Sequence, residues 1–202
     1  LTIWKDEKYR SIQGTYPVIY LSFADVKQTN YKDAVLKIKK IITDVYQQYI
    51  ELAGWEGLTE VQVRQFQSVD PYMDDVTAQC ALQDLAHYLY RFYGKKVILL
   101  LDEYDTPMQE AYLYGYWKEF TAFIRSLFNA TFKTNPYLER AMMTGITRVS
   151  KESVFSDLNN LNVVTTTSTE YETCFGFSEE EVFQALEECG MNNQKKQKQF
   201  VD

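Results

Sequence analysis

The chain has 202 residues, 46% apolar and 15% aromatic, so it can bury a core and is not a disordered polypeptide. Its formal net charge of −7 argues against sequence-independent nucleic-acid binding, and we expect no direct nucleic-acid contact. No apolar run approaches the roughly 18 residues that cross a bilayer, and the three cysteines show no paired spacing. We therefore expect a cytoplasmic protein with reduced thiols and no membrane partner.

Strand-like and helix-like patterns alternate along the chain. In chain order they predict a strand at 16–23, a helix at 31–53, a helix at 74–93, a strand at 97–102, a helix at about 116–133, and strands at 140–147 and 162–169. A capping box at Ser178 predicts a last short helix that stops near Gly190. The stretch 55–72 is irregular, with "TEVQVRQF" as a short helix or strand. This alternation predicts an α/β fold, with a mainly parallel sheet between helical layers and right-handed crossovers.

Three acidic residues follow the apolar run in "KKVILLLDEYDTP": Asp102, Glu103 and Asp105. Ligands gather at the carboxyl ends of strands in open parallel sheets, so this edge is a candidate site. Helix capping explains a single Asp well but accounts poorly for an adjacent Asp-Glu pair. An apolar strand ending in Asp-Glu matches the Walker B element of P-loop ATPases, in which one acid holds Mg²⁺ and the next polarises water. Successive strand residues point to opposite faces, so the two acids could serve metal and water separately.

Three motifs in this order, "KKVILLLDEYDTP", "MTGITRVSKESVFSDLNNL" and "FGFSEEEV", resemble the AAA-ATPase-like family of bacterial proteins. The resemblance covers about residues 16–186. It implies a three-layer, mainly parallel sheet of the P-loop NTPase type, in the class with an additional strand and a catalytic glutamate. It also implies ATP and Mg²⁺ as cofactors and, in the parent protein, a C-terminal nuclease-like domain. We expect a partial domain at 1–189 and a polar tail at 190–202.

The resemblance also implies roles for individual residues. Asp102 resembles the acid that coordinates Mg²⁺ in the nucleotide site, and Glu103 resembles the general base beside it. Thr144 would place a hydroxyl near the γ-phosphate, and Asp105 would be structural. Arg148 is suited to stabilise charge on the transferred phosphoryl group, and a salt bridge to Asp102 or Glu103 is an equally open alternative. Structural roles are favoured for three polar residues further on, Lys151, Asn159 and Asn160.

The 202-residue sequence contains no phosphate-binding loop of the P-loop type. P-loop enzymes need G-x-x-x-x-G-K-[ST] to cradle phosphates, but only Gly94 among the eight glycines precedes a lysine. Leu89 stands five positions earlier, and Lys96 occupies the position of the serine or threonine. We therefore expect an N-terminally truncated domain that lacks its first strand and P-loop. Such a fragment would be inactive alone, and its unpaired sheet edges could drive self-association.

Two other functions are open. A regulatory or scaffold domain could keep the fold without hydrolysing nucleotide, although it would have little need for Glu103. A nuclease metal site could use Asp102, Glu103 and Asp105, but such sites need a lysine shortly after the second acid on the same strand. The first lysine after Glu103 is Lys118, so this alternative is disfavoured.

Overall fold

The structure is a computed structural model that describes residues 2–146, 158, 161–171 and 176–190. The chain forms two compact units, Leu1–Asn160 and Leu161–Asp202. The domain boundary predicted at residue 189 stays a prediction. Within the described ranges, no helix combines the length and apolar character needed to cross a membrane.

The first unit is an α/β unit with three strands and six α-helices among its described residues. The strands are β1 (Val18–Ser22), β2 (Val97–Asp102) and β3 (Leu138–Met143). The helices are α1 (Glu7–Arg10), α2 (Tyr31–Gln47), α3 (Glu60–Gln67), α4 (Asp75–Tyr93), α5 (Thr106–Leu113) and α6 (Trp117–Phe128). Shorter helical turns are 3₁₀ turns at Thr2–Lys5 and Ile50–Gly54 and a π-helical turn at Asn129–Lys133. The second unit contains α7 (Glu179–Glu188).

Side-chain caps set the helix boundaries. The Asn30 side chain accepts a hydrogen bond from the Asp33 N–H at 3.0 Å and starts α2. The predicted helix 31–53 is therefore correct at its start, but the α-helix ends at Gln47 and a 3₁₀ turn follows. The helix predicted at 74–93 is confirmed, and Gly94 ends it with a φ of +67°. The capping box at Ser178 is confirmed as well.

The three strands are parallel and lie in the order β1-β2-β3. This confirms the predicted parallel α/β sheet and the first two strand positions. The third strand begins two residues earlier than predicted and ends at Met143, four residues earlier than predicted, so Thr144 and Ile146 lie beyond its end. Each of the three described strands is hydrogen-bonded to its neighbour, with no gap between them.

On β1 and β2 only one face of the sheet is buried, and β3 has no buried residue. The buried residues of β1 and β2, each at most 2% exposed, are Ile19, Leu21, Val97, Leu99 and Leu101. On these two strands the alternating face is more open, with Val18 38% and Tyr20 54% exposed, and Met142 of β3 is 49% exposed. The described residues therefore form two layers, the sheet and one layer of helices, and the three-layer class stays a prediction.

Topology explains why the helices of the described residues share one face of the sheet. Both crossovers join neighbouring strands in the same direction, and right-handed crossovers then place their helices on the same face. In agreement, α2, α4 and α6 all contact one another. A second layer would need a reversal of strand order, as in doubly wound sheets.

The strand predicted at 162–169 is wrong, because residues 161–171 contain turns and no strand. The hydroxyl of Ser168 accepts a hydrogen bond from the Thr165 N–H at 3.0 Å, and the Ser168 N–H bonds back to the Thr165 carbonyl at 2.9 Å. Serine and threonine hydroxyls offer the backbone local partners that compete with a sheet ladder. The β-branched composition predicted the wrong element for this reason. Helix α5 was not predicted. The stretch "TEVQVRQF", predicted as a short helix or strand, is a helix, α3.

Asp84 on α4 gives a pH-dependent prediction. Burial raises the pKa of its carboxyl above the ordinary 3.8. A raised folded-state pKa means that the folded chain holds the proton more tightly, so stability falls as pH rises through that pKa. We expect Asp84→Asn to increase the free energy of unfolding at pH 7, with a smaller gain near pH 4. Urea unfolding across this pH range measures it, and an Asp84→Asn chain that is less stable at pH 7 would contradict the expectation.

Candidate functional site

The carboxyl ends of the three strands bring together Ser22, Asp102 and Thr144, which we call the Asp102 row. Ser22, the last residue of β1, pairs with Asp102, the last residue of β2. Thr144 follows β3 directly, and its N–H donates to the Leu101 carbonyl at 2.9 Å. Three polar side chains from adjacent strands therefore lie at one edge of the sheet.

Both carboxylate oxygens of Asp102 accept a hydrogen bond from a neighbouring strand. The Thr144 Oγ1 hydroxyl donates to Oδ1 at 2.6 Å, and the Ser22 Oγ hydroxyl donates to Oδ2 at 3.2 Å. The backbone is also fixed, because the Phe23 N–H donates to the Asp102 carbonyl at 2.9 Å. The Asp102 carboxylate is half-buried and oriented by hydroxyls on both sides.

Glu103 leaves the strand geometry. The strand β2 ends at Asp102, and Glu103 has a φ of +49°, in the left-handed region that non-glycine residues seldom adopt. The alternation of strand faces expected for the acid pair therefore stops before Glu103. Its Oε2 accepts a hydrogen bond from the Thr106 hydroxyl at 2.9 Å, and its N–H donates to Thr144 Oγ1 at 3.3 Å. Strain of this kind costs on the order of 1 kcal/mol and persists where surrounding contacts hold it.

Asp105 is 1% exposed and occupies the N-cap position of α5, but its side chain makes no capping hydrogen bond there. Its Oδ2 accepts hydrogen bonds from Gln109 Nε2 at 3.1 Å and from the Ile146 N–H at 3.0 Å. The capping explanation is therefore wrong for Asp105.

Within the described residues, no ion pair involves Asp102 or Glu103. The same residues contain no group of three or more acidic, cysteine or histidine side chains that could hold a metal ion. The three acids after β2 therefore do not form a shared metal cluster of the nuclease kind. Asp102 and Glu103 leave negative charge at the sheet edge that a bound cation would offset.

The structure places Asp102, Glu103 and Thr144 at the same edge of the sheet, as the sequence predicted, and their roles stay predictions. Arg148 lies outside the described residues, as do the polar residues Lys151, Asn159 and Asn160. Two contributors were missed, Ser22 and Thr106. A signal existed for Ser22, since it is the hydroxyl residue near the end of the apolar run 16–23 and the ends of parallel strands share an edge.

The carboxyl edge of the sheet thus carries Asp102 at the end of β2, Glu103 directly after it, and one hydroxyl from each side on the Asp102 carboxylate. The model of the AAA-ATPase-like family, described as "Predicted AAA-ATPase", matches residues 1–155. The chain belongs to this family.

One curated relative is an uncharacterized protein in the vnfD 5′ region of Azotobacter chroococcum mcd 1. It is 31% identical over 90 residues, which are 44% of this chain and 17% of that protein. The matched stretch therefore spans a small part of that relative. No solved structure matches the chain significantly.

Proposed function

We propose that this chain supplies the magnesium-binding and water-activating part of an ATP-hydrolysing site. The observation that carries the proposal is the Asp102 row. A carboxylate at the end of the central parallel strand is oriented by one hydroxyl from each neighbouring strand.

The donor atoms of the row fit Mg²⁺. This ion prefers oxygen ligands, and in nucleotide sites it is held by one or two carboxylates while keeping waters and taking phosphate oxygens. Asp102 would hold the ion, with the hydroxyls of Ser22 and Thr144 beside it. When bound, Mg²⁺ would neutralise charge on the phosphates.

Glu103 is the proposed general base. Its carboxylate lies one residue beyond Asp102 and is oriented by the Thr106 hydroxyl at 2.9 Å. An oriented carboxylate can accept a proton from a water that attacks the γ-phosphate. Thr144 contacts both Asp102 and the Glu103 N–H, so it couples the two acids. Charge stabilisation by Arg148 remains part of the proposal.

ATP hydrolysis also needs a phosphate cradle, and the 202 residues contain no G-x-x-x-x-G-K-[ST] motif. We therefore expect these residues alone to hydrolyse ATP at no measurable rate. The alternative is a non-hydrolysing regulatory or scaffold domain. A nuclease-like domain in the same protein, and self-association through exposed sheet edges, stay predictions.

Calorimetric titration of Mg-ATP tests the proposal, using both the 202-residue chain and the protein made from its complete reading frame. We expect no saturable binding to the 202-residue chain at millimolar nucleotide. In the complete protein we expect magnesium-dependent binding that Asp102→Ala weakens at least about tenfold, the loss of a charge-assisted metal contact. Binding that is unchanged by Asp102→Ala would overturn the proposal. Binding without hydrolysis in the complete protein would favour the scaffold alternative.

A further inference from the structure

Asp105 is a buried carboxylate whose position in sequence predicts one role and whose contacts show another. It stands at the start of α5 but makes no capping bond there. Instead it accepts the Ile146 N–H at 3.0 Å, from a residue 41 positions later in the chain. The Asp105 carboxyl group thus holds the chain just beyond β3.

Gly145 allows this contact to form. A Cβ atom at position 145 would lie 2.5 Å from Asp105 Oδ1 and 2.8 Å from the ring atom Cε1 of Tyr104. Real Cβ atoms essentially never approach other atoms so closely, so any larger residue would push the chain away from Asp105. The backbone at 145 therefore packs directly on the buried carboxyl.

Side-chain packing contributes little to holding this segment. Thr144 and Gly145 are exposed, and the Ile146 side chain is 87% exposed. The contacts that hold it are polar ones to the residues at and after the end of β2. The Tyr104 N–H donates to the Thr144 carbonyl at 3.0 Å, and Asp105 accepts from Ile146.

We propose that Asp105 is the positioning residue of the site: with Gly145, it clamps residues 144–146 so that the Thr144 hydroxyl stays on Asp102. Loss of the clamp would weaken the contacts of the Thr144 hydroxyl with Asp102 Oδ1 and the Glu103 N–H, while the backbone hydrogen bonds of Thr144 to Leu101 and Tyr104 would remain. The effect on catalysis rests on the proposed function, whereas the clamp itself can be tested without nucleotide.

Hydrogen exchange of the Ile146 amide tests the clamp in the complete protein. We expect Asp105→Ala to speed exchange at Ile146 at least about tenfold, because the Ile146 N–H loses its hydrogen-bond acceptor. Exchange at Leu99 in β2 should not change, which shows that the fold is intact. Asp105→Asn keeps an acceptor oxygen and should restore slow exchange. Asp70→Ala, at an exposed aspartate that caps the Tyr72 N–H, is the matched control.

A double-mutant cycle for Mg-ATP affinity and hydrolysis tests the link to the site. If Asp105 acts through Thr144, Asp105→Ala and Thr144→Ala should each lower Mg-ATP affinity and the hydrolysis rate roughly tenfold. The double variant should then lower them by about tenfold as well, rather than by about a hundredfold. Gly145→Ala should reproduce the loss without removing any acid. It also provides the test if Asp105→Ala does not fold.

The outcomes separate the two claims. Unchanged exchange at Ile146 in Asp105→Ala overturns the clamp. Faster exchange with additive losses in the cycle overturns action through Thr144. A wild-type protein with slow Ile146 exchange and no nucleotide binding refutes the proposed function and leaves the clamp supported.

Discussion

Glu103→Gln is expected to lower ATP hydrolysis by the complete protein by roughly 10²- to 10⁴-fold, the usual contribution of a general base. The amide cannot take a proton from water, yet it has nearly the same shape as the carboxylate. Its oxygen can still accept the Thr106 hydroxyl, which now lies 2.9 Å from Glu103 Oε2. Mg-ATP binding should therefore stay within a few-fold of wild type, as measured by calorimetry beside steady-state hydrolysis.

The matched control is Glu56→Gln, at an exposed glutamate in the loop before α3. It carries the same change in charge and should leave hydrolysis unaltered. Full hydrolysis by the Glu103→Gln protein would show that another group activates the water. Loss of binding and hydrolysis together would mean that Glu103 acts mainly by holding nucleotide or metal.

Leu99→Ala is expected to destabilise the 202-residue chain by about 2–5 kcal/mol, the usual cost of emptying a leucine site in a core. Leu99 is 0% exposed at the centre of β2, on the face covered by helices. The adjacent Leu100 points to the other face and is only partly buried. For Leu100→Ala we expect the free energy of unfolding to fall by about 1 kcal/mol, because folding buries less apolar surface at that position.

This pair of leucines also tests the two-layer arrangement, since both changes remove the same atoms from the same strand. Urea unfolding followed by circular dichroism gives the two free energies of unfolding. Equal losses at the two positions would show that the second face of the sheet is covered in solution. The two-layer description would then be wrong.

Local signals in the sequence predicted much of the fold. The apolar runs at β1 and β2 and the capped pattern of α4 each combine periodicity with a clear stop, and the structure contains all three. The location of the acid pair followed from one rule, that the ends of parallel strands share an edge. The strand predicted at 162–169 was wrong because serine and threonine hydroxyls form local hydrogen bonds with the backbone that compete with a sheet ladder.

The parts that could not be predicted depend on contacts between distant residues. The Glu103 N–H donates to Thr144, and the Asp105 carboxylate accepts from the Ile146 N–H, so each hydrogen bond joins residues 41 positions apart. No pattern within a short window reports such a contact. The single buried face of the sheet likewise depends on strand order, which alternation of strands and helices leaves open.

The most direct test of the central claim is the position of the metal. Crystals of the complete protein, grown with Mn²⁺ in place of Mg²⁺ and a non-hydrolysable ATP analogue, would give an anomalous signal that marks the ion. We expect this signal beside the Asp102 carboxylate, between the hydroxyls of Ser22 and Thr144, bound directly or through one water. Nucleotide bound with its metal away from the Asp102 row would contradict the proposed site.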